Sequence, residues 1–155
     1  MTTLIVLLLV LATAVNGLLA GLNADTALVK LPARKRIGAA AYVAFARGND
    51  LGNGLIVYPL LGVGAALLTL LVTVLAYAGY SRGELLLPLS LASALSLLHT
   101  FTTTRAAPVM LSLKNAPDDD ALLRPKLDRF AHWHTVRAIF QVSAFFVLLW
   151  ALVIV

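Results

Sequence analysis

The chain contains no cysteine, which excludes disulfide frameworks, thiolate metal sites, iron–sulfur clusters and thiol catalysis. Charge is scarce too. Only 12% of its 155 residues are charged, where a soluble domain carries roughly 25%. Acids are the rarer sign, with 7 Asp and Glu against 12 Lys and Arg. No carboxylate relay runs through the apolar segments and no half-helices repeat, so the usual features of a pump or antiporter are missing. What fills the chain instead is hydrophobic side chains, 61% of the total, with a mean hydropathy of +0.93. The length suits one domain, and its natural solvent is a bilayer.

A span needs about 20 mostly apolar residues. The pattern predicts an all-α membrane protein, a four-transmembrane-helix bundle with spans at about 3–22, 55–78, 85–104 and 130–155. Only Met-Thr-Thr precedes the first apolar run, too little for the basic region of a signal peptide, so that run is expected to be a retained helix. Gly17 and Gly21 in this first span have the small-xxx-small spacing of close helix contacts, and Asn16 and Asn23 share one face. Between spans one and two, Ile37–Ala46 is too short to cross. It reads as a cytoplasmic amphipathic segment, lying at the interface or tucked under the bundle. Gly48–Gly54 lacks the Lys-Ser/Thr of a phosphate loop and reads as a turn. Asp118–Asp120 reads as a helix start favoured by the helix dipole. A carboxylate metal site there is the weaker reading.

The basic residues fix the expected orientation. Eleven of the 12 Lys and Arg fall in the first and third connections or just inside span four, and only Arg82 lies on the other side. The positive-inside rule then puts both termini outside the cytoplasm. The expected location is a plasma membrane of the bacterial inner-membrane kind. The net charge of +5 thus serves topology, and the expected partners are membrane lipids and a lipophilic small molecule, with no nucleic acid. A homo-oligomer is compatible with the chain.

Polar residues concentrate in the cytoplasmic third. Tyr58 opens span two, and Ser96, His99 and Thr103 form a stripe on span three, with Thr100 beside it. Phe130-Ala-His-Trp-His-Thr-Val-Arg137 enters span four. Arginine and histidine inside a span are costly and mark a candidate site. At roughly 100° per residue, His134, Arg137 and Gln141 share a face with Phe130 and Phe145, while His132 points away. Trp133 reads as an interfacial anchor. His134 and Arg137 are therefore the candidate catalytic residues, and Phe130, Gln141, His99, Thr103, Tyr58 and Asn23 the candidate binding residues. No metal ligand and no cofactor is assigned. Structural roles compete at each position: Arg137 can snorkel to the headgroups, and His99 and His134 can simply bridge helices.

The run Asp128-Arg-Phe-Ala-His-Trp-His-Thr-Val-Arg137 resembles the final-helix signature of the anthrone-oxygenase-like membrane proteins. Phe130, Trp133, His134 and Arg137 fill its aromatic-x-x-Trp-His/Asn-x-x-Arg motif. Thr104–Asn115 is similar to that family's polar exit from helix three, whereas the stretch around Asn53 and Pro59 matches only loosely. The resemblance implies a cofactor-independent oxygenase acting on a lipophilic phenolic ring system. In that chemistry a neutral His134 takes an acidic C–H proton and Arg137 stabilises the enolate oxygen. Two other readings stay open. One is a non-catalytic binder or carrier of a hydrophobic small molecule. The other is a haem or metal protein with His99 and His134 as ligands. A structural or assembly subunit is a further possibility that only a partner search addresses.

Overall fold

The computed structural model describes residues 3–80 and 83–155. Arg82, the lone basic residue expected at the far side, and part of the connection at 80–84 lie outside the described residues. The described residues form six α-helices and no strand: α1 (Thr3–Asp25), α2 (Leu31–Ile37), α3 (Ala39–Gly48), α4 (Gly54–Leu75), α5 (Leu86–Leu111) and α6 (Asp120–Val153). Four long apolar helical stretches are each long enough to cross a membrane. Their outward faces are apolar: Ile56 (73%), Leu60 (72%) and Val74 (63%) on α4 are widely exposed. A monomeric soluble protein rarely leaves so continuous an apolar belt in water. Lipid is the solvent that fits it.

The four long helices overlap the four expected spans, but their ends fall elsewhere. Helix α1 runs on through a wider turn at Thr26–Lys30 into α2, so the basic run at 30–36 is helical. Pro32, which has no N–H to donate, is accommodated because it directly follows the wider turn Thr26–Lys30, where the regular ladder of hydrogen bonds is already shifted. At the far end of α2, Gly38 has φ +89°, a left-handed conformation that only glycine adopts without cost. It turns the chain back into α3. Helix α5 passes through Arg105 and Pro108 to Leu111, and α6 begins at Asp120. At 1.5 Å per residue α6 is about 51 Å long, well beyond the roughly 30 Å of a hydrocarbon core, and its first turns extend past the expected span.

These projecting ends build a second core. Tyr42, Val43 and Ala46 of α3 pack with Ala106 and Met110 at the end of α5, with Leu113 just beyond it, and with Leu123, Leu127 and Phe130 of α6. Trp133 packs against this cluster from the side, so it belongs to the packing and is only half-buried. Helix α3 is therefore tucked against the bundle, one of the two placements its short apolar run allowed. The three adjacent aspartates have separate tasks. Asp118 pairs with Arg47 at 2.8 Å. Asp119 caps α6 by accepting from the Ala121 N–H at 2.8 Å. Asp120 accepts from the Ala40 N–H at 2.8 Å. Arg47 also donates to the carbonyls of Leu113 and Ala116. The carboxylates diverge: Asp118 and Asp120 fasten α3 to the start of α6 and the connection before it, while Asp119 serves α6 itself.

At the other end of the bundle, Ile5, Leu9 and Ala12 of α1 pack with Val72 of α4, Leu89 and Ala92 of α5, and Leu148 and Ala151 of α6. Helices α4 and α5 are linked by hydrogen bonds in this half: Thr73 Oγ1 meets Ser93 Oγ at 2.8 Å and the Leu89 carbonyl at 3.2 Å, and Tyr77 meets Ser90 at 2.8 Å. The α1 glycines differ in their surroundings. A Cβ at Gly17 would lie 2.8 Å from the Phe145 ring, whereas one at Gly21 would meet nothing within 4 Å. Only Gly17 serves close packing, and it does so against a side chain of α6.

Candidate functional site

At the end of the bundle that carries most of the basic residues, α1, α4, α5 and α6 enclose a cavity of about 530 Å³, within the size range of small-molecule sites. Its walls are largely apolar, with Leu, Val, Ala and Gly of α4 and α5 supplying the largest share. Among the candidate residues, Asn23, Tyr58, His99, Thr103, Phe130, His134 and Arg137 all line it. The cavity opens sideways between α4 and α5, where Val63, Leu67, Leu97 and Leu111 both line it and are exposed.

Helix α6 supplies the central pair. Arg137 and His134 stand one turn apart, and the guanidinium Nη2 donates to His134 Nδ1 at 2.8 Å. A guanidinium has no lone pair to offer, so His134 Nδ1 must be the acceptor. The ring proton then resides on Nε2, which donates to the Asn23 carbonyl at 3.2 Å. Both ring nitrogens of this buried histidine are thus engaged, and Phe130 flanks the ring at 5.3 Å between centroids. A proton-accepting role for His134 would first require Arg137 to leave. Arg137 keeps spare capacity instead: its Nε is buried without a partner. The side-chain oxygen of Asn23 is also buried and unpaired. Unsatisfied buried polar atoms are uncommon and costly, and here two belong to residues that line one cavity.

His99 faces the same space from α5. Its Nδ1–H donates to the Arg137 carbonyl at 3.3 Å, which leaves Nε2 as the lone-pair nitrogen. Thr102 and Thr103 both donate to the His99 carbonyl at 2.9 Å. The side chains of α5 are thereby held, and the two histidines adopt opposite tautomers.

The cavity also has a carboxylate that the sequence reading passed over. Asp50 sits in the wide turn Asn49–Asn53 ahead of α4 and lines the cavity. Tyr58 donates to its Oδ1 at 3.2 Å. Gly54 makes this approach feasible, since a Cβ there would lie 2.8 Å from the Tyr58 ring and 2.9 Å from the Asn49 carbonyl. The available signal was a solitary acid eight residues before Tyr58. Within a Gly-Asn-Asp-x-Gly stretch it reads first as turn chemistry.

Gln141 lies outside this group. It shares the buried face of α6 but stands a further turn along, where its amide donates to Asn16 Oδ1 at 2.9 Å. Asn16 in turn donates to Thr69 at 3.0 Å, so the three residues tie α1, α4 and α6 together in mid-bundle. His132 is exposed, as its angular position on α6 requires.

Four candidate spans around a cavity with a polar end define a small integral membrane protein of the all-α class. Comparison with protein-family models, with curated proteins and with solved structures finds no match.

Proposed function

We propose that the protein takes a lipophilic ring-bearing molecule from the membrane and acts on it as a cofactor-independent oxygenase, with a phenolic, anthrone-like ring system as substrate. The observation that carries this reading is the Arg137 guanidinium, anchored on His134 and left with an unpaired Nε, at the polar end of a largely apolar cavity. A guanidinium in such surroundings stabilises an oxygen that acquires negative charge far better than it would in water. An anthrone-type substrate provides that oxygen when its acidic C–H bond gives up a proton and the electron pair moves onto the ring carbonyl. The enolate then reacts with O2. Overall a ring methylene and one O2 become a ring carbonyl and one water. The family resemblance of Phe130, Trp133, His134 and Arg137 points the same way.

Incubating the purified protein with anthrone under labelled oxygen tests the proposal. Protein-dependent formation of the quinone, with label in the new carbonyl, is the expected result. Saturable binding of anthrone without any turnover would leave the second reading, a carrier of hydrophobic molecules. That alternative is favoured by the engagement of both ring nitrogens of His134. The bis-histidine haem reading fits less well: His134 would have to release Arg137 or Asn23 to bind iron. A visible spectrum of the purified protein addresses it directly.

A further inference from the structure

Within that reading, we infer that the proton leaves the substrate for the carboxylate of Asp50. Three groups on the cavity wall have the chemistry of a base: His134, His99 and Asp50. The lone pair of His134 is occupied by the Arg137 Nη2. His99 offers Nε2, but it is bonded to the backbone of Arg137 itself. A proton placed on it would create an imidazolium beside the guanidinium while an enolate formed opposite. Separating new charges in an apolar cavity is costly. Proton transfer to a carboxylate creates no new charge. The C–H bond breaks, the proton goes to Asp50, and the electron pair moves to the substrate oxygen at Arg137. One negative charge simply changes place, and it ends beside the cation.

The local structure suits this task. Asp50 Oδ1 is held by Tyr58, while Oδ2 has no partner among the described residues. Asp50 and Arg137 both line the cavity and form no ion pair with each other. A ligand bound in the cavity can therefore meet both groups. Gly52 departs from helical geometry (φ −93°, ψ −119°) within the turn that carries Asp50, and Gly54 gives Tyr58 room to reach back.

The test isolates the proton step from oxygen chemistry. Anthrone is incubated with detergent-purified protein in deuterated buffer under argon, and exchange at its ring methylene is followed by NMR. Binding is measured in parallel by fluorescence titration of the same probe. The wild type should accelerate exchange. Asp50→Asn should lose at least about a hundred-fold of that acceleration, in keeping with the usual worth of a general base, at an affinity within a few-fold of wild type. Asp50→Glu should recover part of the loss, which a merely structural defect would not. Tyr58→Phe, which leaves the carboxylate in place but unheld, should lose less than Asp50→Asn. Undiminished exchange in Asp50→Asn overturns the assignment, as does a larger loss in His99→Gln with binding retained. A wild type that binds anthrone but does not accelerate exchange overturns it too, and leaves a carrier. If the wild type does not bind anthrone at all, the underlying functional reading falls, and the assignment falls with it.

Discussion

Two glycines a turn apart in α1 illustrate how differently one residue type behaves along one helix. Gly17 faces Phe145 so closely that a Cβ would sit 2.8 Å from the ring, while Gly21 faces open space. Gly17→Leu should therefore cost about 1–3 kcal/mol through overpacking and lower the melting temperature by several degrees, whereas Gly21→Leu should leave it within error. Thermal unfolding in detergent checks both variants side by side. At the site, Arg137→Ala should weaken binding of an oxygen-bearing aromatic ligand at least about ten-fold, the value of a hydrogen bond to a charged group. Arg137→Lys should restore little, because an ammonium cannot both hold His134 and present a second donor from the same plane. His132→Ala should bind as wild type does. Fluorescence titration on variants that remain folded decides the matter, and a severe His132→Ala phenotype would contradict the helix rotation described above.

Among the elements, the short helix α3 is held by specific polar contacts as well as by packing. Arg47 spans to Asp118 and to two backbone carbonyls of the α5–α6 connection. An exposed ion pair alone is worth little, but the stranded carbonyls raise the cost. Arg47→Ala should therefore open α3 to proteolysis before the bundle unfolds, and Gly38→Ala should do the same by straining a positive φ, at about 1–2 kcal/mol. Limited proteolysis with mass mapping would locate the cuts near 38–48. The existence of the four long helices was legible in the sequence because each contains some 20 apolar residues. Their ends were not. Pro32, Arg105 and Pro108 look like terminators, but helices that leave the membrane continue through such residues once packing, as around Met110 and Leu123, supports them. The site was legible in part for the same kind of reason. A histidine and an arginine in an apolar run stand out, as His134 and Arg137 do. Asp50 did not stand out among glycines and asparagines, and angular position on α6 grouped Gln141 with Arg137 without revealing that the next turn meets Asn16 and not the cavity.

For the whole molecule, the distribution of Lys and Arg predicts a cytoplasmic location for the basic end, with both termini on the opposite side. A reporter fused after Val155 that functions only outside the cytoplasm should be active, and one restricted to the cytoplasm should be silent. The reverse result would invert the molecule. Either way up, one feature shapes how it would be studied: the cavity mouth between α4 and α5, rimmed by exposed Val63, Leu67, Leu97 and Leu111. A ligand admitted through that mouth arrives by lateral diffusion, after it has dissolved in the surrounding amphiphile. The concentration that governs occupancy is then its mole fraction in the micelle or bilayer, and the apparent dissociation constant should climb in proportion to the amount of detergent present. Surface dilution of this kind would be the kinetic signature of a protein that samples the membrane and not the water beside it.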